Sequence, residues 1–258
     1  MTHGGADLVI DRLVALPGIE MAGVFIESKP TPRRSMIEKM KRSIRYDGVA
    51  ATAVKFIRRS DPSNSDAASI DLTRSAAASN GIEVTEVDDY HGDGSIEQLN
   101  AANADLGVIY GTNIIKESVF SIPKLGSINL HQGLAPFYRG GPPVFWELFN
   151  GENEVGLTVH FVAAKVDTGD IVRQTKIPLR YDFSFGKDFE AFIDNYRNGL
   201  REASANLVAE AVDMIASGQF DRRPQDITLG RRYRLPTKKE KNELVRRLKQ
   251  RPTEGGDE

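Results

Sequence analysis

Short apolar runs alternate with amphipathic segments along most of this 258-residue chain, and that alternation limits the folds open to it more than any other feature. Residues 21–26, 82–87, 106–110, 127–130, 156–163 and 171–179 read as strands. The runs at 106–110 and 127–130 are continuously apolar, as in strands buried on both faces. Helical spacing marks residues 6–16, the stretch up to about 78, 95–102, 144–149, one long helix over 188–217 stopped by Gly218, and a short helix over 237–249. Strands separated by helices of crossover length predict an α/β protein, with a Rossmann-like, mostly parallel twisted sheet covered by helices on both faces.

One element is out of place. A helix begins straight after His3-Gly4-Gly5, where such a Gly-rich turn should itself follow a strand. The first strand therefore reads as missing, and a central gap would strand backbone groups at ~1–3 kcal/mol each. The expectation is that in-frame codons for about five to eight apolar residues precede Met1, restoring a strand that pairs those groups.

Cysteine is absent, which excludes disulfides, thiolate metal sites and thiol nucleophiles and agrees with a cytoplasmic location. No apolar run reaches the ~18 residues of a membrane span, and no leader pattern opens the chain. Four scattered histidines without paired spacing predict no metal site. The net charge of −2 conceals two basic segments, from Lys29 to Arg59 and from Arg231 to Arg251, each with a balance of +8 on a body of −18. The first is expected as a basic helix to Arg45 followed by a second over 49–59. Such blocks are ordinarily solvated faces. The sharper alternative is a phosphate-rich or membrane-surface partner met through Lys29 to Arg59.

In open parallel sheets ligands gather at the carboxyl ends of the strands. Two such ends are rich in polar residues, the run from Ser127 to Pro142 and the turn from Lys165 to Asp170. Asn129 and His131 alternate with Ile128 and Leu130 and so share a face. With a carboxylate from Asp167 they suit acyl transfer to an amine. The amide and the ring N–H can donate to a developing oxyanion, and the carboxylate can take a proton from the attacking ammonium. A carboxylate beside the ring is expected to raise the histidine pKa. By spacing alone, a hydrogen-bonded strand terminus is an equal alternative. His160 is expected as a packed strand residue, His3 and His91 as turn residues without partners, and Phe145 and Trp146 as core.

The whole phrase goes further. Asn129-Leu-His131, Leu134-Ala-Pro136, Tyr138-Arg139-Gly140, Gly156-Leu-Thr-Val-His160 and Val166-Asp167-Thr-Gly-Asp170 together resemble the folate-dependent formyltransferase family. The resemblance is strongest over residues 105–179 and extends from Gly4 to about Gly218. It implies a formyltransferase fold in residues 1–218 and a basic extension in 219–258 with a short helix and a disordered end. It implies 10-formyltetrahydrofolate as co-substrate, no metal, and the primary amine of a small anionic metabolite as acceptor. It places Asn129, His131 and Asp167 on the catalytic positions, and Tyr110, Gly111, Thr112, Gly133, Leu134, Ala135, Pro136 and Val166 on the folate. Arg139 and Gly140 fall near the acceptor.

Gln132-Gly133 departs from the family's usual Pro-Ser, loosening the loop and removing a hydroxyl. The forty residues after Gly218 do not fit the tRNA-gripping domain of methionyl-tRNA formyltransferases. The run from Gly140 to Glu147 is more like formyltransferases of surface-sugar pathways, so an amino-sugar acceptor is expected. The alternatives are a tRNA formyltransferase relative lacking that domain, and a non-catalytic module that binds polyanions.

Overall fold

The computed structural model describes residues 1–27, 40–41, 43–45, 64–179 and 189–250. Its strands are β1 (Val24–Glu27), β2 (Val84–Val87), β3 (Gly107–Ile109), β4 (Ser127–His131), β5 (Tyr138–Arg139), β6 (Glu154–Phe161), β7 (Ile171–Pro178) and β8 (Arg231–Arg232). The helices are α1 (Asp7–Val14), α2 (Asn64–Ser79), α3 (Asp93–Ala101), α4 (Glu117–Phe120), α5 (Phe145–Asn150), α6 (Phe189–Gly199), α7 (Arg201–Ala216) and α8 (Lys238–Gln250). β1 pairs parallel with β2, and β3 parallel with β4; β6 and β7 then add antiparallel beside β4. The chain is an α/β protein with a mixed, mostly parallel sheet.

The slot between β1 and β3 is not empty. Thr2 bridges both strands in parallel, opposite Ile26 and Tyr110. Its amide donates to Phe25 O, and the Tyr110 amide donates to Met1 O. The buried Tyr90 hydroxyl completes the seam: it lies 2.7 Å from the Thr2 and Phe25 carbonyls and accepts from the Thr2 and Glu27 amides. The expected run of stranded backbone groups is therefore relieved here by two residues and one phenol.

The main core joins β4, β6 and β7 to α1, α5, α7 and α8, with Phe145 and Trp146 inside it as expected. α1 packs on α7 and α2. The long helix expected over 188–217 is two helices. At Leu200 the amide is shared between the Tyr196 and Arg197 carbonyls, a tightened turn next to Gly199, a residue poorly suited to a helix interior.

The C-terminal residues fold back over the sheet. β8 pairs parallel with β5, and Leu244 and Leu248 of α8 are fully buried in the main core. α8 opens on a capping box: Glu240 accepts from the Thr237 amide, and Thr237 Oγ1 accepts from the Glu240 amide. Within the segment from Lys29 to Arg59, residues 40–41 and 43–45 are helical, and the rest lies outside the described residues, as does the end beyond 250. No described helix is long and apolar enough to cross a membrane.

Candidate active site

β4 carries Asn129 and His131 to the carboxyl end of the parallel strands. The register sets Ile109 opposite Asn129, so Tyr110, Gly111 and Thr112 run past the end of β3 alongside Leu130 and His131. On the other side Asn129 faces His160 and His131 faces Thr158 of β6. A β-bulge falls between Val159 and His160. The bulge shifts the pairing so that His160 opposes Ile171, beside the β6–β7 turn that bears Val166 and Asp167. Elements distant in sequence thus meet at one sheet end.

Asp167 is the hub. Its backbone is left-handed, with φ of 53°, which an aspartate tolerates better than most residues. Oδ2 accepts the Gly140 amide at 2.9 Å and lies 3.4 Å from His131 Nδ1, while Oδ1 lies 3.6 Å from His160 Nε2. Burial by itself would raise this carboxyl, but His160, His131 and the Gly140 amide together hold it down at about 2. It is therefore ionised throughout the neutral range.

His131 corrects the expectation from sequence. Its pKa is lowered, because burial outweighs the pull of Asp167 and of the Tyr138 carbonyl, and His160 and Arg139 add to the lowering. Nε2 lies 2.5 Å from Tyr138 O. A carbonyl can only accept, so Nε2 carries a ring proton toward Tyr138 O, while Nδ1 is the ring nitrogen beside Asp167. His160 also departs from the simple packed residue expected of it. It is buried, with Nδ1 donating to Phe161 O and Nε2 directed at the same carboxylate.

The loop after β4 is pinned from below. Thr158 Oγ1 donates to Gly133 O and accepts from the Ala135 amide, and Gln174 Nε2 donates to Ala135 O and to Thr158 Oγ1. Gly133 has no room for a side chain, since a Cβ there would collide with His131 Nε2 and Tyr138 O. Leu134 seats on Gly156. Arg139 is buried, and its Nε and Nη2 donate to the Pro136 and Ile227 carbonyls, so it ties the tail to the loop. Gly140 holds Asp167. His160, Thr158 and Gln174 were not legible as site residues: a bulge leaves no trace in strand alternation, and both polar neighbours sit in ordinary β patterning.

The other histidines are partnered, against expectation. His3 Nε2 lies 2.7 Å from Glu27, and His91 lies between Asp89 and the Lys116 amide. Among the described residues no group of three His, Asp or Glu side chains is placed to hold a metal. A cavity of about 440 Å³ opens beside the loop, and of the expected folate contacts only Leu134 lines it.

Curated relatives are similar over the middle of the chain. A methionyl-tRNA formyltransferase from Parabacteroides distasonis is 33% identical over 150 residues, covering 58% of this chain and 44% of that protein. One from Citrifermentans bemidjiense is 35% identical over 136 residues, covering 52% and 40%. The chain thus spans less than half the length of these relatives. Among solved structures, a sugar N-formyltransferase from Shewanella sp. aligns over 88% of both chains at 16% identity and a TM-score of 0.49. The formyltransferase PseJ from Anoxybacillus kamchatkensis, in complex with UDP-4,6-dideoxy-4-formamido-L-AltNAc and tetrahydrofolate, aligns over 68% of this chain and 85% of its own at 24% identity and a TM-score of 0.47. The formyl transferase family model matches residues 33–215, well over half of the chain, and the chain therefore belongs to that family.

Proposed function

We propose that this chain transfers a formyl group from 10-formyltetrahydrofolate to a primary amine, using Asn129, His131 and Asp167. The observation that carries the reading is the ionised Asp167 set between His131 and His160 at the end of β4. Its Oδ2 lies 3.4 Å from His131 Nδ1, so a proton taken from the attacking ammonium can be held at this pair. The Nε2–H of His131, which now donates to Tyr138 O, and the Asn129 amide are the donors for the oxyanion that develops on the formyl oxygen. As the tetrahedral intermediate collapses, the bond from the formyl carbon to folate N10 breaks, N10 takes one of the two ammonium protons, the other passes to solvent, and tetrahydrofolate leaves.

The residues present suit the folate co-substrate. Tyr110, Gly111 and Thr112 beyond β3, the pinned loop from Gly133 to Pro136, and Val166 beside Asp167 border the same sheet end and offer apolar surface with backbone donors and acceptors. No metal takes part in this scheme. Arg139 and Gly140, expected near the acceptor, hold the loop and Asp167 in place.

For the acceptor we favour the amine of a small anionic metabolite of amino-sugar type in the cytoplasm, on the strength of the sequence from Gly140 to Glu147. A methionyl-tRNA acceptor is the second reading, favoured by the names of the relatives at 33–35% identity. The test is tetrahydrofolate binding by calorimetry on the whole chain, followed by formyl transfer to a nucleotide-linked amino sugar and to methionyl-tRNA. Binding with transfer to the sugar is expected. Transfer to methionyl-tRNA alone would move the acceptor to the second reading. Absence of tetrahydrofolate binding would overturn the enzyme reading in favour of a polyanion-binding module.

A further inference from the structure

The cavity of about 440 Å³ is walled by Leu134, Tyr138, Glu147, Gly156, Arg231 and Tyr233, so the loop, α5, β6 and the folded-back tail all border it. Its size is that of a site for a small molecule. Tyr138 and Tyr233 stack at 5.2 Å and 9° into one aromatic wall. Most of the charges around it are matched. Lys176 lies 3.2 Å from Glu154, the Tyr138 hydroxyl donates to Glu152 at 2.7 Å, and the Arg231 guanidinium sits over the Tyr233 ring at 4.4 Å.

Glu147 is the exception. It is only 3% exposed, lines the cavity, and is influenced by its own backbone amide and the like-charged Glu152, with no cation opposite it among the described residues. We propose that this cavity binds a small organic ammonium ion, a primary amine on a short apolar or aromatic group, whose charge Glu147 matches. A desolvated carboxylate lacking a counter-ion is costly, and an ammonium seated beside it restores the pairing that buried charges require. The aromatic wall covers the carbon part of such a ligand. Burial has pushed the Glu147 carboxyl up to about 7, so the empty site holds a proton part of the time and the ligand's charge displaces it. The lining sets three carboxylates, Glu147, Glu152 and Glu154, against Lys176 and Arg231, so its formal balance favours a cation by one charge.

The inference stands apart from the chemistry at His131, although Leu134 and Tyr138 border both places, Tyr138 with its ring on the cavity and its carbonyl on Nε2. The experiment is calorimetry on the whole chain at pH 8 with 2-phenylethylammonium, methylammonium and the neutral 2-phenylethanol, for wild type, Glu147→Gln and Tyr233→Leu. The expected result is one-to-one binding of 2-phenylethylammonium at least tenfold tighter than the alcohol. That preference should vanish in Glu147→Gln, and the overall affinity should fall in Tyr233→Leu. Tetrahydrofolate binding should be unchanged in Glu147→Gln, which separates this site from the proposed catalytic one. Equal binding of ammonium and alcohol to wild type, no saturable binding of either ammonium ion, or a preference retained in Glu147→Gln would each overturn the proposal. The comparison within wild type decides the matter even if a variant fails to fold.

Discussion

Asp167 holds an ionised carboxyl against burial because three groups point at it, and replacing it tests how much of the site rests on that charge. Asp167→Asn keeps the shape and, like aspartate, tolerates the left-handed backbone. It should lower the melting temperature at pH 7, where the ionised carboxylate stabilises the fold, while turnover falls by about two to four orders of magnitude, the range for a lost acid–base or oxyanion group. His131→Ala should lose as much. At Gly133 the argument is steric: a methyl group there displaces either the His131 ring or the Tyr138 carbonyl. Gly133→Ala should therefore lower kcat at least tenfold and also weaken tetrahydrofolate binding, since the same loop borders the proposed folate site, read by steady-state kinetics beside calorimetry. His131 itself should titrate by NMR with a midpoint below the ordinary 6.5, since burial wins over its carboxylate neighbour.

At the scale of elements, much of the site could be read from sequence and some could not. β4 and its two polar residues were legible because Asn129 and His131 interrupt an apolar run at the spacing that puts both on one face. The β6–β7 turn was legible as a polar break between two β-rich stretches. His160 was not, because the bulge that places it depends on pairing with β7, a partner no local pattern names. The tail was legible as a basic segment with a short helix, yet not as the cover of the loop. What fixes it there is long-range: β8 on β5, the Trp146 indole donating to Arg234 O, and Leu244 and Leu248 in the core. Gly230 is the point of closest approach, since a Cβ on it would strike Pro136 and Phe137. Gly230→Ala should push β8 off the loop, raising the KM for the folate co-substrate more than it lowers the melting temperature.

Across the whole molecule, the buried Glu147 sets a pH dependence of stability. Its carboxyl is raised from 4.5 to about 7 by burial, so between those values the unfolded chain releases a proton that the folded chain keeps. Stability should thus fall as pH rises through that window, by up to roughly 3 kcal/mol for this group, and Glu147→Gln should remove the slope. Asp167 works with the opposite sign at lower pH: its contribution is present above about 4 and is lost as pH falls through about 2. Denaturant melts at pH 5 and pH 8 for wild type and Glu147→Gln read the first effect directly.

The central claim is that Asn129, His131 and Asp167 move a formyl group to an amine. The most direct measurement is the release of tetrahydrofolate from 10-formyltetrahydrofolate, dependent on an added amine, for wild type and for Asp167→Asn, at a temperature where both are fully folded and with tetrahydrofolate binding checked for each. The account predicts amine-dependent release by wild type and a loss of at least a hundredfold in the variant. Release by Asp167→Asn at more than a tenth of the wild-type rate would contradict it.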